Sequence, residues 1–354
     1  MTADPPLLEL TDLSVAYGTG LGRHQHLAVN GVSFTIAQGE TVGLVGESGA
    51  GKSSIGRAIL GLARPSGGTI TFQGEDVTRA SKRQRRQLSR HLQAVFQDPY
   101  SSFNPTRTIG QALLEPLRQA PELSAAGRRE RVADVLSSVG LSSDVLSRRP
   151  ASFSGGQRQR IAIARALVAG PQLVVCDEPV SALDLSIQAQ VLNLLLDLQE
   201  KRSVSYLFIS HDMSVVQFLC HRVVVLNGGM IMEAGPADQV CRHPRHPYTR
   251  SLLAAVPLPD PQRQRERRLA RQAARRGGVA GQAAEGCPFS ARCPYAIEIC
   301  RQQRPPAVAA GEVTVACHRY PAVAAQWPES TATAGPPPGP SGLTPAEPAN
   351  GELR

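Results

Sequence analysis

Residues 41–53 read TVGLVGESGAGKS, a short apolar run followed by Gly46-Glu47-Ser48-Gly49-Ala50-Gly51-Lys52-Ser53. The next residues, KSSIGRAILGL from Lys52, carry apolar side chains at helical spacing. Strand, glycine-rich turn and helix start in that order are the context in which G-x-x-x-x-G-K-S cradles a phosphate. The glycines let backbone N–H groups close around phosphate oxygens, and the helix start adds the positive end of its dipole. Lys52 is expected to reach β and γ phosphates and Ser53 to ligate Mg²⁺.

Outward from this loop the chain alternates strand and helix. LLELTDLSVAY (7–17) alternates apolar and polar residues as a half-buried strand does. QLVVCDEP from Gln172 and SYLFISHD from Ser205 read as buried strands, separated by SIQAQVLNLLLDLQE, which reads as a helix. That alternation predicts an α/β fold with a parallel sheet. In RVVVLNGGMIMEAG (222–235), Asn227-Gly228 between two apolar runs predicts a hairpin. From about 100 to 168 the apolar runs are helical, as in RERVADVLSSVGL and RQRIAIARALVA, which predicts a helical insert.

Composition sets the outer bounds. The chain has 354 residues, 42% hydrophobic and 19% charged, which excludes global disorder and leaves room for about two domains. Eighteen uninterrupted apolar residues never occur, and the start MTADPPLLEL lacks the pattern of a secretory signal, so a cytosolic protein without a membrane span is expected. The net charge of +9 is concentrated in PQRQRERRLARQAARR (261–276), where seven Arg and one Glu give +6 and leave +3 elsewhere. Flanked by Pro-rich and Gly-rich sequence, this stretch reads as a linker, solvated or near anionic lipid, rather than a nucleic-acid face. Residues 328–354 are of low complexity and read as a disordered tail.

Two further constellations carry chemistry. Asp177 and Glu178 end a buried strand; Asp177 suits a Walker B aspartate that holds Mg²⁺ directly or through water, and Glu178 can orient or deprotonate the attacking water. Cys176 before them reads as a small buried hydrophobe. Ser154-Gly155-Gly156-Gln157 opens the helix RQRIAIARALVA and offers a second hydroxyl and N–H cluster at a helix N-terminus. A second phosphate cradle in another subdomain makes sense if it completes the nucleotide site of another chain.

With these residues the chain resembles the ATP-binding subunits of ABC transporters, over about residues 7–256 and in the expected order. The resemblance implies a P-loop NTPase (RecA-like) core with a parallel sheet, an antiparallel β-subdomain and a helical insert, binding ATP and Mg²⁺. It implies that Ser54 joins the phosphate loop, that Tyr17 stacks on adenine, and that Gln97 of VFQDP touches Mg²⁺ and faces the membrane subunits. It further implies that Ser181-Ala182-Leu183-Asp184 couples the paired sites and that His211 of ISHD is the switch histidine contacting the γ phosphate, beside Glu178 as general base.

Within that family three stretches are similar to the ATPase subunits of oligopeptide and dipeptide importers: FQDPYSSFNP (96–105), CDEPVSALDLSIQAQVLNLL (176–195) and RHPRHPYTRSLLAAVP (242–257). The first two resemble one of two paralogous ATPases of those importers. The partners implied are a sister ATPase subunit in a heterodimer, with a homodimer as the alternative, two membrane permease subunits, and an extracytoplasmic peptide-binding protein reached through the complex. The location implied is peripheral, on the cytoplasmic face of the plasma membrane. Nickel importers share parts of the extension, so nickel or another small solute is the alternative cargo. A soluble ABC ATPase acting on nucleic acid is a distant alternative that the single ATPase domain disfavours.

The extension holds Cys287, Cys293, Cys300 and Cys317 at spacing C-x5-C-x6-C-x16-C, without the paired C-x2-C of most structural zinc sites. Four thiolates can bind Zn²⁺ or a [4Fe–4S] cluster, and the resemblance favours the cluster. His243, His246 and His318 read as His-Pro turns or surface residues rather than ligands. The expected division is an ATPase domain 1–256, a Pro/Arg-rich linker 257–286, a small loop-rich four-cysteine module 287–320, and the tail 321–354.

Overall fold

Alternate residues of Leu8–Tyr17 (β1) and of His26–Ile36 (β2) turn inward, and the two strands pair antiparallel, with Leu8 opposite Ile36. Gly67–Phe72 (β4) adds to β1 and Glu75–Asp76 (β5) adds to β4, which completes a four-stranded antiparallel sheet in the order β2-β1-β4-β5. The computed structural model describes residues 5–18, 26–98, 102–119, 122–255 and 285–326. The expected Arg-rich linker and low-complexity tail lie outside the described residues.

The second sheet is built on Thr41–Val45 (β3), all five residues of which are buried. Leu92–Val95 (β6), Leu173–Asp177 (β7), Ser205–Ser210 (β8) and Arg222–Asn227 (β9) run parallel to it in the order β9-β3-β8-β7-β6. Met230–Pro236 (β10) returns antiparallel to β9. The hairpin turn is Gly228-Gly229, both at positive φ (54° and 77°), so the turn lies one residue later than the Asn227-Gly228 signal suggested and Asn227 closes the strand. Two positive φ values in succession are the requirement of a type I′ turn, and glycine meets it twice here.

Because strand side chains alternate in direction, neighbouring residues of one strand serve two cores. Leu173 and Val175 face the antiparallel sheet with Val42, Leu44, Leu207 and the helix Lys52–Ile59 (α1). Val174 and Cys176 face the opposite side, where Tyr206, Phe208 and the helical insert pack. That insert contains Ile109–Leu114 (α3), after the short Lys82–Leu88 (α2), then Ala125–Ser138 (α4) and Gly155–Leu167 (α5), and among its described residues there is no strand. Leu185–Arg202 (α6) follows β7, Met213–Leu219 (α7) follows β8, and Ala237–Arg242 (α8) and Pro247–Leu253 (α9) follow β10.

The cysteine-bearing segment joins this core. Besides its turns and the short helix Glu298–Gln302 (α10) it forms a hairpin, Ala307–Ala310 (β11) with Val313–Ala316 (β12). β12 pairs with β10 at Glu233↔Val315 and Ala234↔Thr314, which extends the core sheet to eight strands. Cys287, Phe289, Cys300 and Val313 belong to the same apolar cluster as the helical insert.

Candidate nucleotide site

The loop after β3 is wedged between backbones. A Cβ on Gly46 would lie 2.2 Å from the carbonyl oxygen of Leu226 on β9, and one on Gly51, at φ 100°, would lie 2.3 Å from that of Ala28 on β2. These contacts are with main chain, so no side chain can yield to admit a methyl group. Lys52 is buried, and its ammonium donates to the carbonyls of Gly46 (2.7 Å) and Glu47 (3.0 Å). Burial lowers its pKa, opposed by the charges of Glu178, Asp177 and Glu47. An anionic phosphate oxygen is a stronger partner for such a cation than a neutral carbonyl. Ser48 and Gly49 are exposed at the loop tip, Ala50 is buried beneath it, and Ser54 is half-buried in the first turn of α1.

Two expected partners of Mg²⁺ are in contact: the Ser53 hydroxyl donates to Asp177 Oδ1 at 3.0 Å. Burial raises the Asp177 pKa, and the Ser53 hydrogen bond partly offsets this. A carboxylate and a hydroxyl are the hard oxygen donors that Mg²⁺ takes, so these residues fit the ion. Glu178 and His211 also meet, with His211 Nδ1 at 3.2 Å from Glu178 Oε1. Glu178 has φ 49°, and its backbone is held by N–H donation to the Ile209 carbonyl (3.0 Å) and by the Ser181 hydroxyl donating to its carbonyl (3.0 Å).

The signature residues form an exposed helix start. Ser154 caps α5 by accepting from the Gln157 N–H (3.3 Å), while the Gln157 side chain accepts from the Ser154 N–H (3.1 Å). Gly156 is buried against α6, where an added Cβ would meet Ile187 Cγ2 at 2.6 Å, and Gly155 lies beside Leu183. Asp184 caps α6 through the Ile187 N–H (3.0 Å), and Leu185 beside it is 84% exposed. The loop that carries Asp184 is thus packed under the signature. Tyr17 ends β1 opposite His26 and is half-exposed, and Gln97 is exposed just beyond β6.

All four extension cysteines line one small cavity, together with Phe289, Tyr295 and His246 among others. All are free thiols, and burial pushes Cys287 up to about 11, Cys293 up to about 12, and Cys317 upward. Among the described residues no three His, Cys, Asp or Glu side chains are grouped closely enough to hold a metal ion. His246 departs from its reading as part of a surface turn. It is buried, caps α9 by accepting from the Tyr248 N–H (2.9 Å), and is held neutral by burial, with its pKa lowered to about 4. His243 is exposed, and His318 meets the Gln303 carbonyl at 3.0 Å.

Two residues at this site carried no sequence signal. The Glu47 N–H donates to the hydroxyl of Tyr248 (2.9 Å), and both Glu47 carboxylate oxygens accept from the Arg292 guanidinium (2.8 and 2.7 Å). Glu47 and Arg292 are 245 residues apart, so no local pattern could have joined them.

Comparison with known proteins agrees with this geometry. Residues 29–181 match the family model described as ABC transporter, and residues 232–300 match that described as oligopeptide/dipeptide transporter, C-terminal region. The chain is 48% identical over 299 residues to a peptide import ATP-binding protein of Brucella ovis, covering 84% of this chain and 92% of that one. It is 46% identical over 312 residues to the di/tripeptide transport ATP-binding protein DppF of Pseudomonas aeruginosa, covering 86% and 93%. Among solved structures it is similar to cbiO1 of Clostridium perfringens, part of an ABC transporter complex (TM-score 0.59, 25% identity, 66% of this chain and 90% of that one). It is likewise similar to the ATP-binding cassette MJ0796, solved as a dimer in a post-hydrolysis state with ADP and Pi (TM-score 0.59, 27% identity, 65% and 98%). With its phosphate loop, paired carboxylates and signature helix in one fold, the chain belongs to the ATP-hydrolysing ATP-binding proteins of ABC transporters, in the branch that carries the oligopeptide/dipeptide C-terminal region.

Proposed function

We propose that this chain binds and hydrolyses ATP to drive the import of oligopeptides or dipeptides, working with membrane permease subunits and a second nucleotide-binding domain. The observation that carries the import reading is the C-terminal region: residues 232–300 match the oligopeptide/dipeptide family, and relatives at 46–48% identity are named for peptide import and di/tripeptide transport. No helix among the described residues is long and apolar enough to cross a membrane, which supports a peripheral subunit, placed here on the cytoplasmic face.

The chemistry follows from the side chains. Backbone N–H groups of residues 46–53 and the Lys52 ammonium bind the β and γ phosphates. Ser53 and Asp177, with Gln97, would hold Mg²⁺, which would supply positive charge to neutralise the phosphates. Glu178 orients or deprotonates the attacking water, and His211 positions the Glu178 carboxylate and meets the γ phosphate. Tyr17 offers a ring to adenine. The signature of Ser154, Gly155, Gly156 and Gln157 lies on the helical insert as an exposed helix start, an arrangement suited to the ATP of a facing domain. We assign that facing domain to a paralogous sister subunit, with an extracytoplasmic peptide-binding protein upstream of the permeases. ATP binds the closed pair better than the open one, and that difference drives the permeases between orientations.

The test is uptake of labelled di- and oligopeptides by cells whose only copy of this chain carries Glu178→Gln. Loss of uptake is expected; unchanged peptide uptake would move the cargo to nickel or another small solute.

To the four cysteines we assign a [4Fe–4S] cluster. Thiolates on zinc all sit about 2.3 Å from one atom, whereas a four-iron cluster binds each thiolate at a different iron and spreads them wider. What supports the assignment is that all four thiols line one cavity, in a segment that matches the oligopeptide/dipeptide C-terminal region up to residue 300. Iron and sulfide in anaerobically purified protein are expected in equal amounts; stoichiometric zinc without iron would overturn the assignment.

A further inference from the structure

The phosphate loop carries an acidic residue of its own. Glu47 sits directly after Gly46, in a segment whose work is to bind a polyanion, and its side chain is 45% exposed. An unpaired carboxylate there would repel the phosphates. The structure supplies the counter-charge from the far end of the chain. Arg292, one residue before Cys293, meets both Glu47 carboxylate oxygens in a two-pronged pair at 2.8 and 2.7 Å, the fork geometry that guanidinium fits and ammonium does not. The Arg292 guanidinium lies 5.3 Å from the centre of the Phe289 ring, which in turn lies 5.3 Å from the ring of the fully buried Tyr248. Tyr248 in turn accepts the Glu47 N–H. Glu47 is therefore held by side chain and backbone together, and its carbonyl accepts from Lys52 Nζ. A second prop comes from the same segment: Pro288 packs on the Gly228 turn, and the next residue, Gly229, donates its N–H to the Ala50 carbonyl at 3.1 Å.

We infer that Arg292 is a positioning residue of the nucleotide site: paired with Glu47, it cancels the negative charge that the phosphate loop carries and fixes the loop at residue 47, so that the triphosphate meets N–H groups and Lys52 without a competing carboxylate. Both side chains of the pair are half-exposed, and ion pairs of that kind add little to fold stability, so the effect of losing it falls on ligand affinity. The inference holds whatever occupies the cysteine cavity.

The experiment is an equilibrium titration of the full chain with Mg-ATP, run as a double-mutant cycle of Arg292→Gln and Glu47→Gln. Arg292→Gln in the otherwise native chain is expected to weaken ATP binding about five- to tenfold, with kcat at saturating ATP little changed, and to lose less at high salt, where charge is screened. In the Glu47→Gln background the same substitution is expected to change the affinity less than twofold, because the charge it cancels is gone. Arg292→Lys keeps the charge without the fork and is expected to fall between; it also serves as the cycle's second arm should Arg292→Gln fold poorly. Native affinity in both single Arg292 variants, or an equal loss in both Glu47 backgrounds, would overturn the inference.

Discussion

Glu178 combines two properties that rarely coexist without a reason. It is a non-glycine residue in the left-handed region, and it presents its carboxylate to His211. Such a backbone costs on the order of 1–3 kcal/mol and persists only where the surroundings over-determine it, as the bonds to Ile209 and Ser181 do. Glu178→Gln keeps the shape and removes the proposed base, so ATP binding is expected to persist while turnover falls about 10²- to 10⁴-fold; single-turnover hydrolysis measures it, and undiminished turnover would remove Glu178 from the role. Gly51→Ala acts on the other side of the site. Its methyl would press on the Ala28 carbonyl, so loss of ATP binding is expected in the same titration. Gly46, Gly51, Lys52, Asp177 and Glu178 were legible in the sequence because their chemistry is written at fixed spacing on a strand–loop–helix. The partnership of Glu47 with Arg292 and Tyr248 was not, because it depends on where a distant segment folds back.

At the scale of elements, caps carry much of the message. Asp184 holds the start of α6 through one hydrogen bond, a local structural duty that stands beside the coupling role the family resemblance implies for it. The two can be separated. Asp184→Asn, an equally good cap, is expected to leave stability nearly unchanged, whereas Asp184→Ala is expected to cost about 1 kcal/mol in urea unfolding. Several periodic elements were readable: β1, β7, β8, α6 and the two strands of the hairpin β9–β10 appear where apolar spacing puts them, whereas the eleven-residue β2, with its irregular burial, was not. The short ones were not singled out. β6 is only LQAV and β11 only AVAA, too brief for a period of two to register, and both owe their conformation to a neighbouring strand. Strand β10 also holds a titratable anchor. Glu233 is fully buried, accepts from the N–H groups of Arg245 (2.7 Å) and His246 (3.0 Å), and is pushed up to about 7 by burial. Since its folded pKa lies above the unfolded value, its contribution is complete below about 4.5 and is lost as pH rises through about 7. Relative to Glu233→Gln, the native chain is expected to lose stability between pH 5 and 8, read from urea midpoints.

Across the whole molecule, the C-terminal segment is a lateral extension of the core. β12 covers the edge of β10, and Phe289 closes over Tyr248 and His246. A chain ending at residue 285 would leave β10 with unpaired N–H and C=O groups at a mostly buried strand, and such edges recruit other chains. That truncation is expected to elute as aggregate in size-exclusion chromatography, while a chain ending at 326 is expected to behave as the full one. The sequence points to a small loop-rich module because the segment offers little apolar core of its own and four cysteines that could staple it. The shared core comes from Cys287, Phe289, Cys300 and Val313, too few and too scattered to announce it.

The contact between Arg292 and Glu47 also sets an order of events during synthesis. The phosphate loop leaves the ribosome early, together with β3 and α1, but the residues that brace it, Tyr248 and Arg292, are made some two hundred residues later. Domains begin to fold as they emerge, so the nascent chain passes through a stage in which the loop is present, exposed and unbraced. On the inference drawn for Arg292, full affinity for nucleotide is reached only after the cysteine-bearing turn has been translated and has docked, so a chain cut short before residue 292 is expected to hold ATP more weakly than a finished subunit.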